Sequence, residues 1–587
     1  MNYKLNTIDN QSNKGSTLGG IKRLVPLMKG EGRQASIAGI TILISSATSL
    51  ITPIIIAHTV DTSIRNKDFH GVLLWSLALL GMYLIGLGAS YVQTITMGSI
   101  GRRVLFNLRN TIFNKLQELP VAFFNQNKAG DLISRINNDT DKLNQFFAQA
   151  LMQFVSNAFL ILGAGILLIV LNPRLGAAAL LPAALILVIT QIISPWINRV
   201  SFKSLQALGG MSGEIQESIN NFKVIVAFNR LDYFKNKFND ANQNNFKASV
   251  AAGIASNIFT PLYGLAYNLG QLIVLAYGIY LISSGMFTVG LLIGFLLYVN
   301  SFYNPLRQLA TVWSSLQLAL AGLDRISEVL ALTSDMVMLP ATQKGTESAA
   351  LLVFNDVSFK YPDSGNIISN ISFELLPGKT YALVGPTGGG KTTTASLMAR
   401  LYDPTQGSIF LKGRDMRSYS AEERSKSIGF ILQEPFLFTG TVGENIIYGN
   451  ERHAGHNSEQ LLEVLKNAQL SELLSRFEQG LDTPISSSGD MISLGQKQLI
   501  AFIRAVLREP ELLILDEATA NIDTVTEELL ENILDKLPKT TTKVIIAHRL
   551  NTIENADDIF FVNGGTITRA GSLQNALDLL LHGKRAS

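Results

Sequence analysis

The stretch "TYALVGPTGGGKTTTASLMARLY" is an apolar strand, a glycine loop and a helix start. It holds GxxxxGK[ST] as Gly385, Pro386, Thr387, Gly388, Gly389, Gly390, Lys391 and Thr392, with Thr393 next. Such a loop does phosphate chemistry. Its glycines let successive backbone N–H groups turn inward on phosphate oxygens, the Lys391 ammonium reaches the β and γ phosphates, and the Thr392 hydroxyl is a Mg²⁺ ligand. Farther on, "ELLILDEATANID" is a buried strand that ends in two carboxylates. Asp516 is placed to hold Mg²⁺ through water, and Glu517 to orient and deprotonate an attacking water. A lone acidic pair at a strand end is usually just solvated. Here it follows four apolar residues in a chain that already carries a phosphate loop, which favours nucleotide hydrolysis.

The elements around these residues fall into two halves. With 587 residues, 47% of them hydrophobic and 16% charged, the chain is too large for one core and too apolar for an ordinary soluble protein. Its net charge of +3 gives no basic field for nucleic acid, which is excluded as a partner. The absence of cysteine excludes disulfides and thiolate metal sites. The first 35 residues are polar, with Lys4, Lys14, Lys22, Arg23, Lys29 and Arg33, and are expected to be a cytoplasmic segment rather than a cleaved signal peptide.

A membrane-spanning helix needs about 20 apolar residues. Six such runs lie near 36–58, 72–97, 149–171, 175–195, 252–282 and 289–311, giving a transmembrane domain over 36–330. The connections "NPR" and "SSGMFT" are short, whereas the loops after the second and fourth runs are long and rich in Lys and Arg. The positive-inside rule therefore puts both termini in the cytoplasm. In "RRVLFNLRNTIFNKLQELP", Leu105, Leu108, Ile112 and Leu116 recur at helical spacing, so the second span continues as an amphipathic helix beyond the bilayer. A second periodic segment, "EIQESINNFKVIVAFNRLDYFKNKF", stands in the matching loop. Residues 331–350 lack apolar period and read as a linker, and from 351 to 587 short β-rich runs alternate with helices, an α/β domain.

In this order, the motifs resemble those of a half-transporter of the ATP-binding cassette exporter family, over roughly residues 20–580. The resemblance implies a six-span helical domain with long cytoplasmic extensions, then an α/β P-loop domain that hydrolyses ATP with Mg²⁺ to drive transport. "VSFKYPD" is similar to the stretch whose aromatic residue, Tyr361, stacks on adenine, and "GFILQEPFLFTGTVGENI" to the glutamine loop, giving Gln433 a role at Mg²⁺ and at the joint to the membrane helices. "ATANID" resembles the loop crossing the dimer interface, with Asp523, and "IIAHRLNTI" supplies a switch histidine, His548, for the γ-phosphate. "FFNQNKAGDLISRINNDTDKL" is similar to the first cytoplasmic loop, whose tip carries force between domains.

The family signature usually reads Leu-Ser-Gly-Gly-Gln; here it is Ile492, Ser493, Leu494, Gly495, Gln496. Ser487 stands where many members carry glutamate, Gly389 where serine is common, and the chain's early stop implies that a final helix is missing. In this family each signature acts on the partner's ATP. Leu494 therefore implies a heterodimer in which a different half-transporter brings a standard signature to this chain's Lys391, Asp516, Glu517 and His548. The expected activity is export of an amphiphilic drug or lipid from a bacterial plasma membrane, with membrane lipids as neighbours. Alternatives are a peptide exporter, a homodimer, or an ATP-gated channel using the domain as a clamp. Gln153, Asn157, Gln191, Asn268, Gln271 and Asn300, with Phe295, Tyr298, Phe302 and Tyr303, are the expected substrate path, and helix packing is the competing role for them.

Overall fold

The computed structural model describes residues 2–5, 23–340, 349–362, 364–433, 435–486, 492–516, 524–546 and 554–582. By contacts the chain forms two compact units. One holds Asn6–Gln117 and Ala129–Ala331, the other Met1–Leu5, Glu118–Lys128 and Leu332–Ser587. The short stretch Glu118–Lys128, continuous in sequence with the membrane half, thus belongs by packing with the C-terminal half.

Among the described residues six helices are long and apolar enough to cross a membrane: α1 (Gly32–Ile64), α2 (Phe69–Glu118), α4 (Ala129–Leu171), α5 (Pro173–Asn220), α6 (Leu231–Ser283) and α7 (Val289–Leu330). The short helix α3 (Val121–Gln126) lies between α2 and α4. Helix starts follow local chemistry. Asn172 accepts the Leu175 N–H at 3.1 Å with Pro173 in the first turn of α5, and Thr288 accepts the Leu291 N–H at 3.3 Å to open α7. On the extension of α2 the buried ridge is Ile100, Val104, Leu108, Ile112 and Leu116, so Val104 takes the place expected of Leu105. These five repeat at every fourth residue, the row that neighbours on a helix surface share.

Small residues let α4 and α5 approach closely at their shared turn. A Cβ on Gly176 would stand 2.3 Å from the Leu168 carbonyl oxygen, so only glycine fits. Farther from the turn the packing changes to charge. Asp131, Arg135 and Asp139 recur at every fourth residue on α4 and face Arg325 and Glu328 of α7. Arg135 is 1% exposed; it donates from Nε to Asp131 at 2.9 Å, and from Nη1 to Glu328 at 2.8 Å and to the Arg325 carbonyl at 2.6 Å. Arg325 in turn meets Asp139 at 3.0 Å and also bonds Asp131. The signs alternate, so each desolvated charge has an opposite neighbour.

In the second unit the four-stranded antiparallel sheet β2-β1-β4-β5 is built from β1 (Leu352–Lys360), β2 (Asn366–Leu375), β4 (Gln406–Leu411) and β5 (Arg414–Asp415). A six-stranded sheet, β12-β11-β3-β10-β9-β6, joins β3 (Thr380–Val384), β6 (Ile428–Ile431), β9 (Leu512–Asp516), β10 (Thr542–Ile546), β11 (Asp558–Asn563) and β12 (Thr566–Arg569). β7 (Gly440–Thr441) and β8 (Pro484–Ile485) make a small ribbon. Within the six-stranded sheet only β12 runs antiparallel to its neighbour. Every residue of β9 is buried, which is why it reads as an unbroken apolar run before Asp516.

Replacing Arg135 by methionine is expected to destabilise the membrane unit by about 1–3 kcal/mol, because it removes the buried guanidinium's bonds to Asp131, Glu328 and the Arg325 carbonyl. Thermal unfolding in detergent measures the loss, and an unchanged melting temperature would contradict it.

Candidate functional site

β10 lies between β3 and β9, with Ile546 level with Leu383 on one side and Asp516 on the other. The carboxyl ends of the parallel strands therefore deliver the phosphate loop and Asp516 to one edge of the sheet, where ligands of such sheets bind. After β3 the chain turns at Gly385, with φ +143°, where an added Cβ would stand 2.0 Å from the Val562 carbonyl oxygen. A Cβ at Gly389 would meet the same oxygen at 2.6 Å. Gly389 is thus held by the β11 backbone, and a serine there requires that backbone to shift. The loop closes through Gly390 onto helix α8 (Lys391–Met398), whose first N–H groups have no helical acceptor.

Lys391 is buried to 6% exposure, with Nζ donating to the carbonyls of Gly385 at 2.9 Å and Pro386 at 3.1 Å. The ammonium is thereby held over the loop. The Thr392 hydroxyl donates to Asp516 Oδ1 at 3.4 Å, pairing two hard oxygen ligands, and Asp516 is 2% exposed. A hydroxyl and a carboxylate fit Mg²⁺, which takes few protein oxygens and keeps several waters. Among the described residues no cluster of three or more histidines and acids competes as a metal site. Gln433 lies exposed two residues past β6. Glu517, Asp523, His548 and Ser487 lie outside the described residues.

Tyr361 follows β1, shares a hydrogen bond with the Thr393 hydroxyl at 3.2 Å, and meets Phe359 and Tyr402 edge-on at 4.9 and 5.3 Å. Tyr402 was not picked out from the sequence. Its hydroxyl accepts from Asn125 Nδ2, on α3, at 2.7 Å, and burial pushes its phenol up. Its only mark in the sequence is an aromatic after "ARL".

The signature residues open α9 (Leu494–Val506). Ser493 Oγ accepts the Gln496 N–H at 3.2 Å and Gln496 Oε1 accepts the Ser493 N–H at 2.9 Å, a reciprocal cap, while Gln496 Nε2 donates to the Arg476 carbonyl at 2.6 Å. None of these bonds reaches the chain's own phosphate loop. Leu494, the first helical residue, is 40% exposed, and Gly495 follows it in the first turn. Arg504, also missed, ties the same helix to the chain beyond Gln433 through the carbonyls of Asn445 at 2.7 Å and Phe436 at 3.2 Å.

In the membrane unit the expected path divides. Phe295, Tyr298 and Tyr303 are buried within the chain's own bundle, with the Tyr298 hydroxyl on the Leu50 carbonyl and that of Tyr303 on the Ala179 carbonyl at 2.8 Å. For these three the competing packing role holds in place of the path: the two tyrosine hydroxyls bond a neighbouring helix's carbonyl, and all three rings pack between helices. Asn157 is buried and bonds Gln308 at 3.4 Å; Gln271 donates to Tyr267 at 2.6 Å; Phe302 is half-buried. Gln153, Gln191, Asn268 and Asn300 are exposed. On α7, Asn300, Asn304, Arg307 and Gln308 form one exposed polar stripe at helical spacing, and Asn304 donates to Asn300 at 2.9 Å. Arg307 escaped the sequence reading although "NPLRQ" displays it.

Two family models match the chain, one described as the ABC transporter transmembrane region over residues 36–306, the other as ABC transporter over 368–520. The chain is 32% identical over 507 residues to a multidrug resistance ABC transporter ATP-binding and permease protein of Lactococcus lactis subsp. cremoris, covering 86% of this chain and 85% of that one. It is 30% identical over 509 residues to a fatty acid ABC transporter ATP-binding/permease protein of Mycobacterium bovis, covering 86% and 80%. A solved bacterial Atm1-family ABC exporter with ATP bound shares the fold, with a TM-score of 0.77 at 24% identity over 94% of this chain and 96% of that one.

Tyr361→Ala is expected to raise the Kd for ATP about fivefold, a stacking loss of ~1 kcal/mol, and to leave kcat unchanged. Nucleotide titration alongside phosphate release measures both, and a large fall in kcat at unaltered affinity would contradict the stacking role.

Proposed function

Because the chain belongs to the ABC transporter family, with a transmembrane region and an ATP-binding domain on one polypeptide, we propose that its ATPase cycle exports an amphiphilic drug or lipid as one half of a heterodimeric exporter. The chain is a multi-pass membrane ATPase coupled to transport, and exporters of this family act as dimers. Its long basic loops favour both termini in the cytoplasm.

The observation that carries this reading is the pairing of Lys391 over its loop with Thr392 on buried Asp516, in a chain whose other unit is six membrane-length helices. Lys391 and the α8 N–H groups bind the β and γ phosphates, Tyr361 stacks on adenine, and Thr392, Asp516 and Gln433 hold Mg²⁺. Bound Mg²⁺ supplies neutralisation of phosphate charge. Glu517 takes the proton from the attacking water, His548 contacts the γ-phosphate and Asp523 lies on the dimer interface.

A partner is further supported by apolar exposure. Phe222, Val224, Val226 and Phe228, just beyond α5, are 57, 55, 50 and 75% exposed. α5 has 48 residues. At ~1.5 Å per residue it outruns a ~30 Å hydrocarbon core by about 40 Å, so this apolar tip stands in water unless another chain covers it. Leu494 supports unequal partners. A helix start stabilises a γ-phosphate only when its N–H groups approach closely, and an exposed leucine in the first turn obstructs that approach. For the substrate, the exposed polar stripe on α7 inside otherwise apolar spans suits an amphiphile, and the multidrug and fatty acid relatives favour a drug or a lipid. Arg307 gives the lipid reading a cation for an acidic headgroup.

Glu517→Gln is expected to keep ATP binding and to cut hydrolysis at least ~100-fold in the assembled pair, as an amide cannot take the proton. Phosphate release by purified protein decides it, and near wild-type turnover would remove Glu517 from catalysis. The chain purified alone is expected to hydrolyse ATP slowly, and Leu494→Gly to raise that rate several-fold. Robust hydrolysis by the unmodified homodimer, unchanged by Leu494→Gly, would overturn the unequal-site proposal.

A further inference from the structure

The chain passes between its two compact units at four places, after residues 5, 117, 128 and 331. The segments beside all four crossings meet at one residue, Tyr3. Tyr3 is 1% exposed, and its hydroxyl donates to Asp335 Oδ1 at 2.7 Å while accepting the Asp335 backbone N–H at 2.7 Å. Asp335 stands just past the last crossing. The Tyr3 N–H donates to Gln126 Oε1 at 2.8 Å, its carbonyl accepts from Asn127 Nδ2 at 3.0 Å, and the Leu5 N–H donates to Asn127 Oδ1 at 3.0 Å. Gln126 and Asn127 lie between the second and third crossings. The Tyr3 ring meets fully buried Phe123 edge-on at 6.4 Å. Burial first, and the Asp335 carboxylate second, hold the phenol protonated well above its ordinary value, so it stays a donor at any physiological pH.

The opposite side of the same short stretch faces the nucleotide site. Asn125 bonds Tyr402 at 2.7 Å, and Tyr402 meets Tyr361 edge-on at 5.3 Å. Asp335, Tyr3, the Asn125–Asn127 stretch, Tyr402 and Tyr361 thus form one contiguous chain of contacts inside a single compact unit. A tyrosine that merely covered an apolar patch would need its ring alone; here the backbone of residues 3 and 5 is read by amide side chains and the hydroxyl is doubly paired. Amide pairs of this kind fix register and leave the strap little freedom to slide.

We propose that Tyr3 is a positioning residue for energy coupling: a strap that fastens α3 to the start of the linker, so that nucleotide-driven movement of the C-terminal unit reaches the α2, α4 and α7 ends together. This rests on the transport reading above. Without the strap, α3 and the linker move independently; ATP is still hydrolysed, but the work fails to reach the membrane helices.

The sequence has no cysteine, so introduced ones stand alone. Spin labels at Asn66→Cys and Ser284→Cys, on two turns between spans, report ATP-driven movement in the reconstituted transporter without requiring knowledge of the substrate. Tyr3→Ala is expected to keep ATPase activity within about twofold of the parent while the fraction of molecules changing label distance falls about threefold or more. Tyr3→Phe and Asp335→Asn, which keep the ring, are expected to lie between, and they decide the matter if Tyr3→Ala fails to fold. Movement equal to the parent in these variants overturns the strap. If the parent itself shows no ATP-driven movement, the transport reading fails instead. The strap is then judged by a Leu5→Cys, Asn127→Cys pair, expected to cross-link on oxidation both with and without ATP; absence of the cross-link rejects it.

Discussion

Hydrocarbon offers a backbone no hydrogen-bond partner, so a chain that enters it repeatedly does so as helices that satisfy themselves. Such a helix does not need to stop at the membrane surface. α2, α5 and α6 run 50, 48 and 53 residues, more than twice the length that spans a bilayer. Much of the fold answers the consequence, that helices packed by one chemistry within lipid need another in water. Near the α4–α5 turn, Gly176 lets backbones touch; deeper in the bundle the Tyr298 and Tyr303 hydroxyls use neighbouring carbonyls. On the Asp131–Asp139 stretch, the same helix α4 is held by charges instead, with Arg135 and Arg325 alternating with acids.

The nucleotide end obeys the opposite requirement. Its parallel strands are largely buried, and the loop between β3 and α8 passes so close to Val562 that two of its positions have no room for a Cβ. Such a site is stiff by construction and cannot itself supply large movement. The chain crosses between the two units at four places. The polar ties at Tyr3, Gln126, Asn127 and Asp335 concentrate there.

Much of this was legible in the sequence because it depends on short-range pattern. Gly385 to Thr392 and Asp516 announce themselves by residue type and by apolar strands before them, and six apolar runs reveal six spans. What escaped depends on contacts between distant segments. Nothing in "MNYKL" marks Tyr3 as buried, since its partners lie more than 120 and 330 residues away. Tyr402 and Arg504 were likewise silent, being ordinary residues until the fold brings Asn125 and Asn445 to them. Polarity within a span also misled: Tyr298 and Tyr303 carry the groups a substrate path would want, yet those groups are occupied by neighbouring helices. A sequence shows that a hydroxyl exists in a span; only the packing shows whether it is already used.

Leu494 separates what the fold wants from what the chemistry wants. The start of α9 is complete without a glycine: Ser493 and Gln496 cap each other, and Leu494 lies within an ordinary right-handed helix whose backbone any residue adopts. In helix propensity alone leucine is better than glycine by somewhat under 1 kcal/mol. The chain's own stability therefore favours the leucine, and nothing in its fold resists the exchange. A glycine at this place is useful only to something that approaches the helix start from outside, and the cost of losing it falls on that neighbour. Positions of this kind are where a relaxed functional constraint becomes visible, because folding leaves no penalty to conceal it. The phosphate loop is the contrast: at Gly385, with φ +143°, the Val562 carbonyl enforces glycine whatever the catalytic state of the site. In the heterodimer proposed above, this chain keeps the loop that its own ATP needs, and the cost of Leu494 falls on its partner's ATP.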